Sequence, residues 1–191
     1  MAKLTIDRRV ARTRALLHEA LLSLIAEERY ETITVEEICA RANTGRSTFY
    51  AHYTGKDDLM RSGFKQLRAA IQEKTGTAPG ACQDRGLAFS LAMFEHVRHH
   101  AHLHGALAGN RGGTIALDSI RQVLGDVVRA ELTVGAGKAG PPRELVVQFV
   151  VGAYMAVATW WLEGGTKLSP CQIDAMFQRL VTKGIRHPPT A

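Results

Sequence analysis

The 191-residue sequence predicts an all-α protein, because apolar residues recur at helical spacing along most of its length. One stretch follows the i, i+3, i+4, i+7, i+8 pattern of an amphipathic helix: Ile120, Val123, Leu124, Val127 and Val128. No segment shows the sustained alternation of apolar and polar residues that marks a half-buried strand. The composition, 46% hydrophobic and 22% charged, is that of a globular protein.

A long first helix is predicted for about residues 7–27, where Leu17, Leu21 and Leu24 form one apolar stripe. The beginning of this segment is strongly basic, with Asp7 as the single acid in the first fourteen residues. The basic residues there are Lys3, Arg8, Arg9, Arg12 and Arg14. We therefore expect this N-terminal arm to support binding to a polyanion such as DNA.

Two short helices joined by a tight turn follow, and residues 34–53 have the size of a helix-turn-helix. Thr34 is a suitable N-cap for the first, and Glu37 completes a capping box. Asn43 in the turn tolerates the left-handed backbone conformation, whereas Gly45 offers no capping hydroxyl to the next helix. That helix, about residues 46–51, begins with polar side chains that suit phosphates and base edges.

The rest of the chain predicts further helices separated by loops. A fourth helix begins at Lys56 and ends before a loop at residues 75–80. Further helices are expected at about 82–99, around 120–128, at about 143–163 and at about 169–184. Residues 133–142, rich in glycine and ending in two prolines, form the clearest loop.

Charge and cysteine content narrow the class of protein. The formal net charge is +6, which suits DNA or an anionic membrane surface as a partner. The cysteines Cys39, Cys82 and Cys171 have neither the spacing of a zinc site nor an even number for pairing. Polar residues interrupt the apolar run at 16–25, which argues against a signal peptide. We therefore expect a cytoplasmic protein without disulfides.

The segment from Leu145 to Leu162 is apolar enough to approach the lower limit for a membrane span. It contains Gln148 and many small residues, and a strongly amphipathic helix follows it. We interpret it as a helix buried on all sides and expect no membrane partner.

Three segments together resemble the DNA-binding head of the TetR/AcrR family of regulators: residues 30–38, 46–53 and 56–59. The resemblance covers about residues 7–65, and it implies a helix-turn-helix domain at 1–55 on a helical body at 56–191. The implied contacts with double-stranded DNA are Thr34, Arg46, Ser47, Thr48, Tyr50, His52 and Lys56. The turn Asn43-Thr44-Gly45 departs from the family pattern of Gly, an apolar residue and Ser, so no operator sequence follows from the resemblance.

A weaker resemblance over about residues 85–185 extends the expectations to the body. It implies a homodimer formed by the last two helices, a palindromic operator, and a repressor released by a small-molecule effector. Candidate effector contacts are Phe89, Met93, Phe94, Tyr154, Met155 and Trp160, all of which also suit an ordinary core. We expect no cofactor.

Two alternatives stay open. His96 and His100 share a helix face at a workable metal-ligand spacing, within a cluster that continues through His99, His102 and His104, although a polar helix end explains the cluster as well. No nucleophile elbow, zinc-protease motif or dinucleotide fingerprint supports an enzyme. The functional alternative is the same fold acting through a protein partner, with little DNA binding of its own.

Overall fold

A computed structural model describes residues 2–77, 87–132, 141–164 and 167–184, excepting the side chains of 2–7 and 72–77. These residues form α-helices and one 3₁₀ turn, without any strand. The helices are α1 (Ala2–Glu27), α2 (Val35–Arg41), α3 (Arg46–Tyr50), α4 (Lys56–Thr77), α5 (Phe89–His99), α6 (His104–Leu107), α7 (Arg111–Glu131), α8 (Arg143–Glu163) and α9 (Pro170–Lys183), with the 3₁₀ turn (Ala101–Leu103) before α6. The predicted all-α class is confirmed.

Several predicted helix limits need correction. Helix α1 begins at Ala2 rather than near residue 7. Helix α4 continues to Thr77 and therefore includes the first part of the predicted loop at 75–80, since a single glycine inside a helix costs only about 1 kcal/mol. The remainder of that loop, the start of the helix predicted at 82–99 and most of the loop predicted at 133–142 lie outside the described residues.

The local signals around α2 and α3 are confirmed. The Thr34 side chain accepts a hydrogen bond from the backbone N–H of Glu37, and the Glu37 carboxylate accepts one from the Thr34 backbone in return. Asn43 has the predicted left-handed conformation, with φ of 48°. Gly45 is the N-cap residue before α3 and provides no side-chain hydrogen bond to it. These three features set the limits of the helix-turn-helix.

One compact unit comprises residues 1–66 and 102–119. Its buried core draws on α1 to α4 and on the start of α7, with Leu17, Leu21, Tyr30, Ile38 and Phe49 among its fully buried members. The Arg41 guanidinium bonds both Glu27 carboxylate oxygens, at 2.8 and 2.6 Å, and thereby fixes α2 on α1. The unit extends beyond the predicted domain of residues 1–55; that division stays a prediction.

A second compact unit comprises residues 67–101 and 120–191. Helix α5 packs against α8 and α9 there, and aromatic rings meet at centroid distances of 4.6 to 6.4 Å. The rings are those of Phe89, Phe94, Tyr154, Trp161 and Phe177. Their packing supplies dispersion and hydrophobic stabilisation to this unit.

Helix α8 is buried on one face only, so the expected burial on all sides is wrong for the single chain. Val147, Val150 and Tyr154 are buried, whereas Leu145 and Phe149 are each 59% exposed. By length and composition alone, α8 is the one helix among the described residues that could cross a membrane. Of its 18-residue apolar stretch, 33% is buried inside the chain. The division into two faces, one of them packed, is that of a helix at an edge of a folded unit.

Gly113 is required by close packing at the start of α7. A Cβ atom built there would lie 1.9 Å from the backbone carbonyl oxygen of Leu107, an atom that no side-chain rotation can move away. We expect Gly113→Ala to lower the free energy of unfolding by about 1–3 kcal/mol, the usual cost of overpacking. Urea denaturation monitored by circular dichroism measures the change.

Gly105 provides the matched control for this substitution. It lies in α6, and a Cβ atom there would meet nothing within 4 Å. Gly105→Ala should leave stability unchanged or raise it by up to about 1 kcal/mol, because alanine loses less backbone entropy than glycine. Equal effects of the two substitutions would contradict the assigned packing role.

Candidate nucleic-acid interface

Helix α3 is anchored to the first unit by one aromatic side chain. Phe49 is fully buried, and its ring meets those of Tyr50 and Tyr53 at centroid distances of 5.4 and 5.7 Å. Because α3 has only five residues, it owes its stability to this packing rather than to its own hydrogen bonds. The anchor therefore determines which side chains of α3 point to solvent.

The exposed face of α3 carries three of the predicted DNA contacts. Arg46 and Ser47 are exposed, and Tyr50 is 52% exposed although its ring edge contacts Phe49. Positions 46, 47 and 50 are neighbours on a helix surface, since they are three and four residues apart. This cluster offers a guanidinium, a hydroxyl and a phenol side by side. We call it the α3 face.

Thr48 and His52 are half-buried at the margin of the α3 face, and the His52 ring lies 6.3 Å from that of Tyr53. Thr34 is exposed, but its hydroxyl also donates to the Glu37 carboxylate at 2.7 Å. That carboxylate, stabilised by hydrogen bonds from Thr34, has a lowered pKa. Thr34 thus holds the beginning of α2, and its contact with DNA stays a prediction.

The Lys56 ammonium is directed into the protein. It donates to the backbone carbonyl oxygens of Tyr30, Glu31 and Ile33, at 2.7, 2.9 and 2.7 Å. It also lies 4.9 Å from the centroid of the Tyr30 ring. All three ammonium hydrogens are occupied in this arrangement. The first residue of α4 therefore fixes the connection between α1 and α2.

An ion pair beside Lys56 was not foreseen from the sequence. The Tyr30 hydroxyl donates to one oxygen of Asp57 at 2.7 Å, and the Arg111 guanidinium donates twice to the other, at 3.0 and 2.6 Å. The backbone N–H of Arg111 also bonds the Glu31 carboxylate at 2.9 Å. The first turns of α4 and α7 are thereby both bonded to the segment that connects α1 and α2.

Burial and the partners of each group shift its pKa in ways that can oppose one another in this network. Burial alone would raise the pKa of Asp57, but hydrogen bonds from Tyr30 and Arg111 outweigh it and lower the pKa. Burial, followed by the hydrogen bond to Asp57, raises the pKa of Tyr30. Burial lowers the pKa of Lys56 despite the carboxylates of Asp57 and Glu31. A charged aspartate paired with a neutral phenol follows from these directions.

An open groove of about 540 Å³ runs along the beginning of α4. It is lined by Thr54, Gly55, Lys56, Asp57, Asp58, Arg61 and Arg111. The Asp58 carboxylate accepts a hydrogen bond from the Thr54 backbone at 3.0 Å and so closes the end of the turn before α4. The groove thus combines both charge signs and has no single electrostatic character.

The candidate effector residues differ in how deeply they are buried. Phe89, Met93, Phe94 and Tyr154 are fully buried in the second unit. Met155 is half-buried, and Trp160 is 54% exposed. Trp161, which sequence reasoning did not select, occupies the aromatic cluster instead and packs edge-on against Phe94 at 5.8 Å.

The histidine cluster lies at the end of α5. His96 and His100 share a face as predicted, with ring centroids 4.3 Å apart, and the His99 ring lies 4.8 Å from that of His100. Within the described part of the chain, no three His, Cys, Asp or Glu side chains converge as metal ligands would. The cysteines Cys39 and Cys171 are free, and Cys82 lies outside the described residues.

We expect Lys56→Met to destabilise the protein, because it keeps the aliphatic stem but leaves three carbonyls without their donor. The free energy of unfolding should fall by about 1–3 kcal/mol, the range for hydrogen bonds to a charged group. Lys65→Met is the matched control, since Lys65 is exposed on the same helix. Urea denaturation gives both values, and an equal effect of the two substitutions would contradict the role given to Lys56.

Comparison with known proteins agrees with this geometry. Residues 17–62 match the model of bacterial regulatory proteins of the tetR family, and residues 87–183, slightly more than half of the chain, match that of a transcriptional regulator C-terminal region. An HTH-type transcriptional regulator of Bacillus subtilis, YxbF, is 42% identical over 67 residues. That match covers 35% of this chain and 18% of the relative, so this chain spans about a fifth of the length of the curated relative.

Solved structures show the same fold over nearly the whole chain. A TetR transcriptional regulator from Streptococcus agalactiae aligns with a TM-score of 0.65 at 22% identity, covering 94% of this chain and 98% of that one. The regulator FadR from Bacillus subtilis, solved in complex with stearoyl-CoA, aligns with a TM-score of 0.64 at 17% identity, covering 90% and 99%. Fold and family are those of regulators rather than enzymes. The chain belongs to the TetR family of bacterial transcriptional regulators, with its DNA-binding domain in the N-terminal part.

Proposed function

We propose that this protein is a cytoplasmic repressor that binds a palindromic operator as a homodimer and is released by a small-molecule effector. The α3 face carries the proposal. Arg46, Ser47 and Tyr50 are presented together on a short helix whose opposite side is anchored by buried Phe49. Polar side chains on such an anchored helix can enter the major groove of double-stranded DNA.

Each group on this face suits a different part of the duplex. The arginine fork matches the O6 and N7 acceptors of guanine, and serine can bond any base edge or a phosphate. A tyrosine hydroxyl bonds phosphate oxygens and sets the register of the protein on DNA. Thr34, Thr48, His52 and Lys56 complete the proposed contact set; of these, Lys56 would have to exchange its bonds to backbone carbonyls for a phosphate.

Arg46→Ala tests the reading of bases. A duplex enriched from a random library with the unsubstituted protein serves as operator, and a random-sequence duplex of equal length serves as reference. Losing one bidentate contact per protomer should weaken operator binding by about 1–3 kcal/mol for each half-site and relax selectivity at one base pair in each half-site. Fluorescence anisotropy measures both affinities. Binding to the random duplex should change much less.

Lys65→Ala on α4 is the control, because Lys65 is exposed and its substitution removes the same charge. Equal losses for the two variants would contradict base reading by Arg46. Absence of any enriched duplex, together with no binding to random DNA at low salt, would contradict the proposed function and favour action through a protein partner.

The same assay separates two roles of Lys56. A phosphate contact would make the slope of log K against log salt less steep by about 0.9 for each bound protomer in Lys56→Met, in addition to the loss of stability. An unchanged slope would assign Lys56 to holding the connection between α1 and α2 alone.

Dimer formation is supported by an apolar face left open on α8 and α9. Its large members are Leu145, Phe149, Trp160, Met176 and Leu180, each between 46% and 59% exposed. Gly152 lies between them on α8, and a Cβ atom there would meet nothing within the chain, so another helix could approach closely. A face of this kind marks an interface, and a second copy with twofold symmetry would present two heads to a palindrome.

Phe149→Glu should convert the dimer to a monomer, because it places a charge at the centre of this face without disturbing the buried side of α8. Gln122→Glu, which adds the same charge at an exposed position of α7, should leave the dimer intact. Light scattering after size-exclusion chromatography measures the mass of each. A monomeric unsubstituted protein, or a dimeric Phe149→Glu variant, would contradict the assignment.

The second unit supplies the proposed effector site. Phe89, Met93, Phe94 and Tyr154 are buried, with the Tyr154 ring packed against those of Phe89 and Phe94, and Met155 is half-buried. FadR carries stearoyl-CoA, and an effector with an apolar body would suit these side chains similarly. The effector would act only by binding the DNA-free and DNA-bound conformations with different affinity. Trp160, on the exposed face of α8, is better placed for the dimer contact.

A further inference from the structure

Helix α1 extends well beyond the core that it helps to form. The helix begins at Ala2, but Leu17 is the first buried residue among those whose side chains the structure describes. Residues 2–16 therefore form an arm about 22 Å long at 1.5 Å per residue. The tetR-family match begins at residue 17, so the arm lies outside the part of this domain that the family model shares.

Three arginines occupy one side of this arm. Arg8, Arg9 and Arg12 lie within about 100° of the helix circumference at 3.6 residues per turn, and all three are exposed. None of them forms an ion pair with any residue that the structure describes. Like charges three and four residues apart destabilise a helix by a few tenths of a kcal/mol per pair. One side of the arm thus carries a concentrated positive charge that no described carboxylate pairs with.

Two arginines of the same unit that join helices are neutralised within the chain. Arg41 bonds Glu27 at 2.6 Å, and Arg111 bonds Asp57 at 2.6 Å. Acidic partners are therefore used for the arginines that join helices, whereas the three arm arginines are left to solvent. An anionic partner outside the chain would remove the repulsion along the arm.

The chemistry of the arm favours DNA over a membrane as that partner. Residues 2–16 contain four large apolar residues, Leu4, Ile6, Val10 and Leu16, and no aromatic residue, a small apolar content for insertion into a bilayer interface. Guanidinium groups bind phosphate through paired, charge-assisted hydrogen bonds. The arm also belongs to the same compact unit as the α3 face.

We propose that Arg8, Arg9 and Arg12 form a second DNA contact, made with the phosphate backbone next to the segment that the α3 face engages. The proposal rests on the proposed DNA-binding function and adds to it a sequence-independent anchor. Phosphate contacts position a protein without reading bases. The arm therefore raises the affinity for operator and for random DNA by a similar factor.

The test compares Arg8→Gln/Arg12→Gln with Lys65→Gln/Lys167→Gln. Both double variants remove two charges, and all four side chains are exposed. Binding is measured by anisotropy to a random-sequence 40-base-pair duplex and to the enriched operator over a range of salt concentrations. The arm variant should lose about 1.8 from the salt slope for each bound protomer, at about 0.9 per phosphate contact and hence about 3.6 for a dimer, and at least about tenfold in affinity at 0.1 M salt.

Two further results are expected. The preference for operator over random duplex should stay within about twofold, because phosphate contacts carry no sequence information. The melting temperature of the arm variant should not fall, since its substitutions precede the first buried residue of α1. A lower melting temperature would assign the arm to folding instead.

Several results would overturn the proposal. One is a salt slope equal to that of the control variant, and another is a collapse of the operator preference, which would mean that the arm reads bases. Co-sedimentation with phosphatidylserine vesicles that depends on Arg8 and Arg12, with DNA binding unchanged, would assign the arm to membranes. Failure of the unsubstituted protein to bind either duplex would contradict the DNA-binding function itself, whereas normal binding with an unchanged slope for the arm variant contradicts only the arm contact.

Discussion

The helix-turn-helix depends on how the chain turns from α1 into α2, and a single ammonium group holds that turn. Three carbonyls of this connection, those of Tyr30, Glu31 and Ile33, would otherwise lack this donor, and Lys56 bonds each of them at 2.7 to 2.9 Å. Because Lys56 is the first residue of α4, the connection and the helix after α3 are fixed by the same contact. The position of α2 relative to α4 follows from it.

The consequences continue along the chain to the exposed surface. Thr34 immediately follows the fixed carbonyls and caps α2, so the direction of α2 is determined where its first turn begins. Asn43 then reverses the chain, and Phe49 secures α3 to the core. Asp57, which bonds Tyr30 and Arg111, adds the start of α7 to this arrangement. An exposed face made of side chains on a five-residue helix can be rigid only because each preceding step is constrained.

Local structure in this chain could be predicted, and long-range pairing could not. The cap at Thr34 is visible in sequence because both partners lie within four residues. Asp57 and Arg111 are 54 residues apart, and nothing in a single sequence pairs one exposed charge with another at that distance. The burial of Trp161 rather than Trp160 could not be predicted for a different reason: α8 is apolar almost throughout, so periodicity does not reveal its buried side. Adjacent residues on a helix differ by 100° in direction, and only packing distinguishes them.

Two surfaces of the single chain are unfavourable in water, and each implies the chemistry that would relieve it. Exposure of five large apolar side chains on α8 and α9 to water is unfavourable, and contact with another apolar surface would remove this cost. The arginines of the α1 arm repel one another, and only anions remove that repulsion. The second copy and the nucleic acid that we propose as partners would cover these two surfaces, the first on the body and the second on the head. In the proposed dimer, two heads joined through their bodies would engage both halves of a palindrome, and a phosphate-binding arm on each head would enter the total affinity twice.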